Sequence, residues 1–290
     1  MGSFKEHLDF LKKVAAKFRI DLVEMLHKAE SGHLGGSLSA LEIMVALYFG
    51  ELSSGDAMKY DPAKPGWEGQ DYFVLSKGHA SPAWYVILAN VGFFAEEELQ
   101  YFRQMNSLLQ PYPSRKIPGV VLPGGAPGYG FSAAVGLAIT LKMEKQPNRV
   151  YVLIGDGELQ QGQVWEAVLM AAQYKLDNLT LLVDWNGLQT DGPVRAVIDV
   201  EPIAEKFEAF GWKTVPVSDG HDFEALLLAL ERVLETQRRP SVIIARTVKG
   251  RGVPFAENRS SYHAEVLSAQ ELAEALPKLK SDLATLTSQK

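Results

Sequence analysis

Apolar residues Phe4, Leu8, Leu11, Val14, Phe18, Leu22 and Met25 recur every three or four positions, and this spacing predicts an amphipathic helix over residues 4–29. Ser31-Gly-His-Leu-Gly-Gly36 interrupts the pattern, and a second helix is expected from about Leu38 to Phe49. Past an irregular Gly/Pro-rich stretch at 60–70, the period changes. Tyr72 to Leu75, Tyr151 to Ile154, Leu179 to Val183, Thr214 to Val217 and Val242 to Val248 are short apolar runs of the kind buried parallel strands show. Between them the sequence predicts a helix opened by Pro82, an apolar helix over 131–145, one over Gln163 to Lys175 and one around Phe223 to Gln237; a polar helix closes the chain at 268–287. Strands alternating with helices give an α/β fold, a mostly parallel sheet with helices on both faces, read as one domain over 1–290. Pro111 to Gly130 is too rich in proline and glycine for regular structure, and its length points to function.

Composition narrows the classes. With 290 residues, 47% of them hydrophobic, and a net charge of −6, the chain can bury a large core and offers no basic stripe for nucleic acid. It has no cysteine, which excludes disulfides, thiolate catalysis and cysteine-based metal sites. No apolar run reaches the roughly 18 residues of a membrane span. Nothing like a leader opens the sequence, so the cytoplasm is the expected location. No Gly-x-Gly-x-x-Gly opens a helix after the first strand, which argues against a nicotinamide dehydrogenase.

The chemistry concentrates in a few short segments. Gly155-Asp156-Gly157-Glu158 follows an apolar strand, and Asn186 stands thirty positions after Asp156 (186 − 156). Taken alone, Gly-Asp-Gly after a strand is a common tight turn. Position alters that reading, because both residues fall at the carboxyl ends of neighbouring strands, where open α/β sheets bind ligands. Glycine there lets a phosphate approach the backbone, and a following helix amino terminus favours an anion. Three of the six histidines, His33, His79 and His263, stand beside small residues where loops are expected to meet strand or helix ends. A lone histidine is more often a satisfied structural group; three so placed suit phosphate binding and proton transfer.

These segments, in this order, resemble transketolase. Ser31-Gly-His33, Leu75-Ser-Lys-Gly-His79, Gly155-Asp-Gly157, Asn186-Gly-Leu188-Gln-Thr-Asp191-Gly192, and Thr247-Val-Lys-Gly-Arg-Gly-Val253 with Glu257-Asn258 and His263 match five family motifs over nearly the whole chain. A full transketolase is roughly twice this length and adds pyrimidine-binding and carboxy-terminal domains, so the resemblance is to the diphosphate-binding subunit of a split, two-component transketolase. It implies the thiamine-diphosphate-binding fold, with thiamine diphosphate and Mg²⁺ (or Ca²⁺) as cofactors. Asp156, Asn186 and the Leu188 carbonyl would be the metal ligands, an oxygen set that suits a hard cation bridging diphosphate. His79, Gly157, Glu158, Asn186 and His263 would hold the cofactor, with Gly125, Ala126 and Pro127 in the loop that touches its aminopyrimidine. His33, His79 and His263 would be catalytic, and His33, Tyr112 and His263 would face the sugar. The reaction implied is transfer of a two-carbon ketol unit from a ketose to an aldose. The glutamate that activates the cofactor belongs to the missing half, so activity is expected only with a pyrimidine-binding partner, in a two-plus-two heterotetramer. Glu166 either joins an acidic network at that interface or is an ordinary surface glutamate.

Departures from the pattern lie on one side. Where relatives carry Gly-His-Pro, this chain has Pro111-Tyr112-Pro113; Gly124 to Gly130 replaces a pocket leucine by Pro127 and a glutamine by Tyr129; Gln161 replaces a glutamate. Tyrosine keeps a hydroxyl donor but, with a pKa near 10, cannot shuttle protons as histidine does. A donor or acceptor other than the ordinary pentose phosphates is therefore expected. Two alternatives remain, since fold and cofactor do not fix the substrate: a 2-oxoacid decarboxylating or acyl-transferring subunit, and a non-catalytic scaffold.

Overall fold

A computed structural model describes residues 3–288. Helix α1 (Phe4–Lys28) begins at an N-cap Ser3 whose side chain and Glu6 form a capping box, satisfying two of the orphan N–H groups of the first turn. Helix α2 (Leu34–Phe49) is buried along almost its full length. It starts four residues earlier than the sequence predicts, because Gly35 and Gly36, read as breakers, form its first turn. A small antiparallel hairpin follows, β1 (Glu51–Leu52) and β2 (Gly55–Asp56). Next come β3 (Tyr72–Leu75), α3 (Ser81–Asn90, with Pro82 in its first turn), α4 (Tyr129–Met143) and β4 (Val150–Gly155).

Helix α5 (Gly162–Gln173) leads into β5 (Leu179–Trp185), and a second hairpin, β6 (Leu188–Gln189) and β7 (Gly192–Pro193), hangs from its end. Short helices α6 (Val194–Val197) and α7 (Ile203–Ala209) precede β8 (Lys213–Val217), α8 (Phe223–Leu234), β9 (Ser241–Arg246) and α9 (Ala269–Ser288). The hairpins, α6 and α7 are too short to leave a periodic signature. Strand β9 stops at Arg246 rather than at the expected Val248, because the Val248 amide leaves the ladder to pair with a side chain, His221.

The main sheet is wholly parallel, in the order β3-β4-β5-β9-β8. Side chains alternate across it with the strand period of two. Phe73, Leu75, Tyr151, Leu153, Leu182 and Ile243 enter a core shared with α1, α2, α3 and α8; Val74, Val152, Ile154, Leu181, Val183 and Ile244 enter a second core under α4, α5 and α7. Burial on both faces explains why these strands read as continuous apolar runs. Among the described residues no helix is long and apolar enough to cross a membrane.

Candidate active site

Because the strands are parallel, the segments that follow β3, β4, β5 and β9 all emerge at one edge of the sheet. They bring Ser76 to His79, Asp156 to Glu158, Asn186 to Leu188, and Lys249 with His263 around a cavity of about 230 Å³. His79, Gly125, Pro127, Asp156, Gly157, Glu158, Asn186, Leu188 and His263, all singled out from the sequence, line it.

Asp156 is 2% exposed. Its carboxylate accepts from the Gly157 amide at 2.8 Å and the Gly187 amide at 2.5 Å. Gly187 reaches back because its φ of +78° is one that glycine adopts freely. Burial, reinforced by the nearby Asp184 charge, raises the Asp156 pKa to about 7. The Asn186 amide oxygen accepts from the Leu188 amide at 3.0 Å, and its nitrogen faces Asp184 Oδ2 at 3.3 Å. The Leu188 carbonyl accepts from Lys249 Nζ at 3.0 Å and keeps a second lone pair. One carboxylate, one amide and one carbonyl thus border the same space.

Glu158 is engaged differently. Its carboxylate accepts from Ser76 Oγ at 2.8 Å, the Gly128 amide at 2.9 Å and the Gly155 amide at 3.0 Å, bracing three loops at once. The same carboxylate caps a 3-10 turn over Asp156–Gln160, so α5 starts only at Gly162. That start lies one residue before the Gln163 expected from the sequence.

His33, His79 and His263 form one cluster: their ring centroids are 5.6 Å (33 to 79), 5.6 Å (33 to 263) and 4.9 Å (79 to 263) apart. His33 is the residue before α2, His79 sits in the 3-10 turn Gly78–Ala80, and His263 in the turn Ser261–His263. Gly36 makes the close packing possible, since a Cβ there would lie 2.8 Å from His79 Nε2. Burial and the surrounding cations hold all three rings below the ordinary imidazole range, His263 at about 3. They are neutral at physiological pH. Lys249 Nζ lies 2.8 Å from His263 Nδ1, so Nδ1 accepts and the proton of that ring is on Nε2.

The remaining residues are peripheral. Ala126 lies in the loop between Gly125 and Pro127 without lining the cavity, and its carbonyl accepts from the Tyr129 amide at 3.2 Å. Tyr112, 45% exposed, packs its ring over Gly125 outside the cavity. Glu166 is exposed on α5, and Gln161, exposed just before it, lines the cavity rim.

Two lysines and an aspartate at the site escape sequence reasoning. Lys77 and Asp184 form an ion pair that is almost fully buried, with Lys77 Nζ also donating to the Gly36 carbonyl at 3.0 Å. Burial by itself raises the Asp184 pKa; the Lys77 ammonium and the Ser39 and Thr247 hydroxyls more than offset this and hold it below the usual range. Lys249, also buried, is brought down to about 8 by burial and by Lys77. Each lysine sits inside a motif the sequence displays, flanked by small residues, which is the one signal that could have marked it.

The chain is similar to known proteins over most of its length. Residues 11–285 match the family described as "Transketolase, thiamine diphosphate binding domain". The chain is 38% identical over 261 residues to a 6-deoxy-6-sulfo-D-fructose transketolase subunit of Clostridium sp. (strain MSTE9), covering 90% of this chain and 92% of that protein. It is 36% identical to one subunit of the apulose-4-phosphate transketolase of Phocaeicola vulgatus, covering 93% of each. Human transketolase is 37% identical over 96% of this chain but only 43% of its own length. Among solved structures, transketolase from Campylobacter jejuni superposes with a TM-score of 0.86 at 29% identity, over 95% of this chain and 45% of that one.

Proposed function

Because the chain belongs to the transketolase family, as a thiamine-diphosphate-dependent transketolase subunit, we propose that it is the diphosphate-holding half of a two-subunit enzyme that acts on a modified sugar. The observation that carries this reading is the convergence of Asp156, Asn186, Leu188, His79 and His263 on one cavity at the sheet edge, with His33 packed behind the two histidine rings.

The donor set fits a hard cation and a diphosphate. Asp156, Asn186 and the Leu188 carbonyl supply the oxygens Mg²⁺ or Ca²⁺ takes. Lys249, His79, His263 and the Gly157 backbone supply positive charge, N–H donors and close approach for the diphosphate, and Gly125, Ala126 and Pro127 form the loop beside the aminopyrimidine. When bound, thiamine diphosphate supplies the nucleophilic carbon and electron sink needed to break a ketose carbon–carbon bond.

The chain's own residues orient and move protons. His263, protonated on Nε2 and neutral overall, donates to a sugar or phosphate oxygen, and Lys249 fixes that tautomer. His33 and His79 are neutral bases within reach of the same space, suited to taking a hydroxyl proton as the bond breaks and returning one to the acceptor. Glu158 keeps the loops in register and Tyr112 stands at the mouth, where it would meet the far end of the sugar.

A partner is part of the proposal. The relatives that this chain spans almost end to end are named as subunits, and α4 and α5 leave Tyr129, Met143, Leu169, Met170 and Tyr174 between 47% and 75% exposed. Such an apolar surface suits a pyrimidine-binding subunit, in a two-plus-two cytoplasmic assembly, with Glu166 on the same helix. The modified-sugar reading rests on Tyr112, Pro127 and Gln161 and on the sulfo-sugar and apulose phosphate named for the two relatives. Ketol transfer is to be assayed with this chain alone, with its partner, and with the two plus thiamine diphosphate and Mg²⁺. Activity is expected only in the last, higher on a modified ketose than on xylulose 5-phosphate. Turnover by the single chain, or release of carbon dioxide from a 2-oxoacid, would overturn it.

A further inference from the structure

Away from the cavity, a buried glutamate meets an arginine and a histidine whose side chains are largely shielded, from distant parts of the chain and without any part in the chemistry so far described. Arg19 of α1 pairs with Oε1 of Glu42, which is 5% exposed in the middle of α2. The other oxygen, Oε2, lies 2.9 Å from Nδ1 of His221, in the turn between β8 and α8. The far nitrogen of that ring, Nε2, accepts the Val248 amide at 2.8 Å. An imidazole nitrogen that accepts a backbone N–H carries no proton, so the proton is on Nδ1 and is donated to Glu42.

The two ends of this chain of bonds grip one segment. His221 holds the Val248 amide; Arg19 Nε donates to the Arg251 carbonyl at 3.0 Å. Between them stand Lys249 and Gly250, and Lys249 is the residue that touches both the Leu188 carbonyl and His263. A histidine, a glutamate and an arginine buried together are costly, and apolar residues of like volume would commonly stabilise a fold as well or better. What apolar residues cannot do is fix a backbone amide and a carbonyl on either side of one lysine.

We propose that Arg19, Glu42 and His221 form a positioning relay that sets the segment from Val248 to His263, and through it Lys249 and His263, in the register needed to hold the diphosphate. The inference rests on the cofactor reading given above, and it concerns residues that themselves touch neither cofactor nor substrate.

Two substitutions of His221 separate positioning from mere packing. In His221→Asn the amide nitrogen stands where Nδ1 was and still donates to Glu42, but the side chain falls short of Val248. In His221→Gln the longer side chain places an oxygen where Nε2 was, restoring an acceptor for the Val248 amide. Each variant is to be assembled with the partner subunit. Binding of thiamine diphosphate with Mg²⁺ is followed by titration calorimetry, and hydrogen exchange of the segment 247–263 is compared with that of α8. For His221→Asn, loss of one buried hydrogen bond predicts cofactor binding weaker by about tenfold and exchange faster by about tenfold in 247–263 alone. His221→Gln is expected to recover most of both. Equal behaviour of the two variants, binding within about twofold of the parent for both, or faster exchange spread over the whole chain overturns the relay. Absence of cofactor binding by the parent complex instead overturns the functional reading, and the exchange comparison still decides whether His221 holds the segment.

Discussion

The two walls of the cavity are built to different standards. On one side, at the strand tips, Asp156 accepts from the Gly187 amide, Asn186 bonds the Leu188 amide and Asp184, and the Leu188 carbonyl accepts from Lys249, with the buried Lys77–Asp184 pair behind them. On the other, Pro111 to Gly128 is a run of turns, and its Tyr112 is half exposed, with its ring laid over Gly125. The first wall has one arrangement available, because moving any member strands a buried charge. The second can change a side chain at little cost to the fold. In the proposed function the rigid wall would hold diphosphate and cation, and the loose wall would meet the sugar.

That contrast can be broken. The largest effect is expected for Asp156→Ala, which removes the only carboxylate of the proposed cation set. Activity of the assembled enzyme should fall by roughly a thousandfold or more, with calorimetric cofactor binding lost, as expected when electrostatic preorganisation is removed at its centre. An enzyme that retained a tenth of its activity would show that the strand-tip wall is dispensable.

Next comes Lys77→Met, which leaves Asp184 buried without its cation. Such a break costs about 3–5 kcal/mol, so the melting temperature should drop by several degrees while Lys77→Arg drops less. A third test uses pH. The Asp156 pKa lies at about 7 against an ordinary 3.8, so the carboxylate is costly to ionise in the folded chain and this penalty grows as pH rises from 3.8 to 7. Cation binding requires the ionised form and removes the penalty. Affinity should therefore fall about tenfold per pH unit below 7 and level off above it, and the stabilisation by cation and cofactor should be larger at about pH 8 than at about pH 6. A pH-independent cation affinity between those values would count against Asp156 as ligand.

The smallest effect is expected on the loose wall. Tyr112→His introduces the histidine that the resemblance to transketolase implies for this position, and it should leave the melting temperature within about 0.5 kcal/mol equivalent of the parent while shifting the ratio of kcat/KM between modified and ordinary ketoses by several-fold. A loss of stability like that of Lys77→Met would erase the distinction between the walls.

How far these walls can be read without coordinates differs in the same way. The five sheet strands stand out because burial on both faces leaves them uniformly apolar, and the histidines stand out because they sit among glycines and serines at expected turns. Gly35 and Gly36 mislead, since glycine reads as a helix breaker, yet here the missing side chain is what admits His79 beside α2. Lys77, Asp184, Glu42 and Arg19 are invisible for another reason: a charged residue within an apolar helix or at a strand end reads as solvated until its counter-charge, up to 107 positions away, is known to lie beside it. His221 goes unnoticed likewise, because what marks it is a bond to a backbone amide, and backbone amides look the same at every position.

The exposed apolar side chains Tyr129, Met143, Leu169, Met170 and Tyr174 of α4 and α5 have a bearing on how this polypeptide is made. If a partner subunit covers these side chains as proposed, each freshly synthesised copy would expose them until that partner docks. Supply of the two halves would then have to be matched, because a surplus copy of this chain would keep that apolar surface exposed.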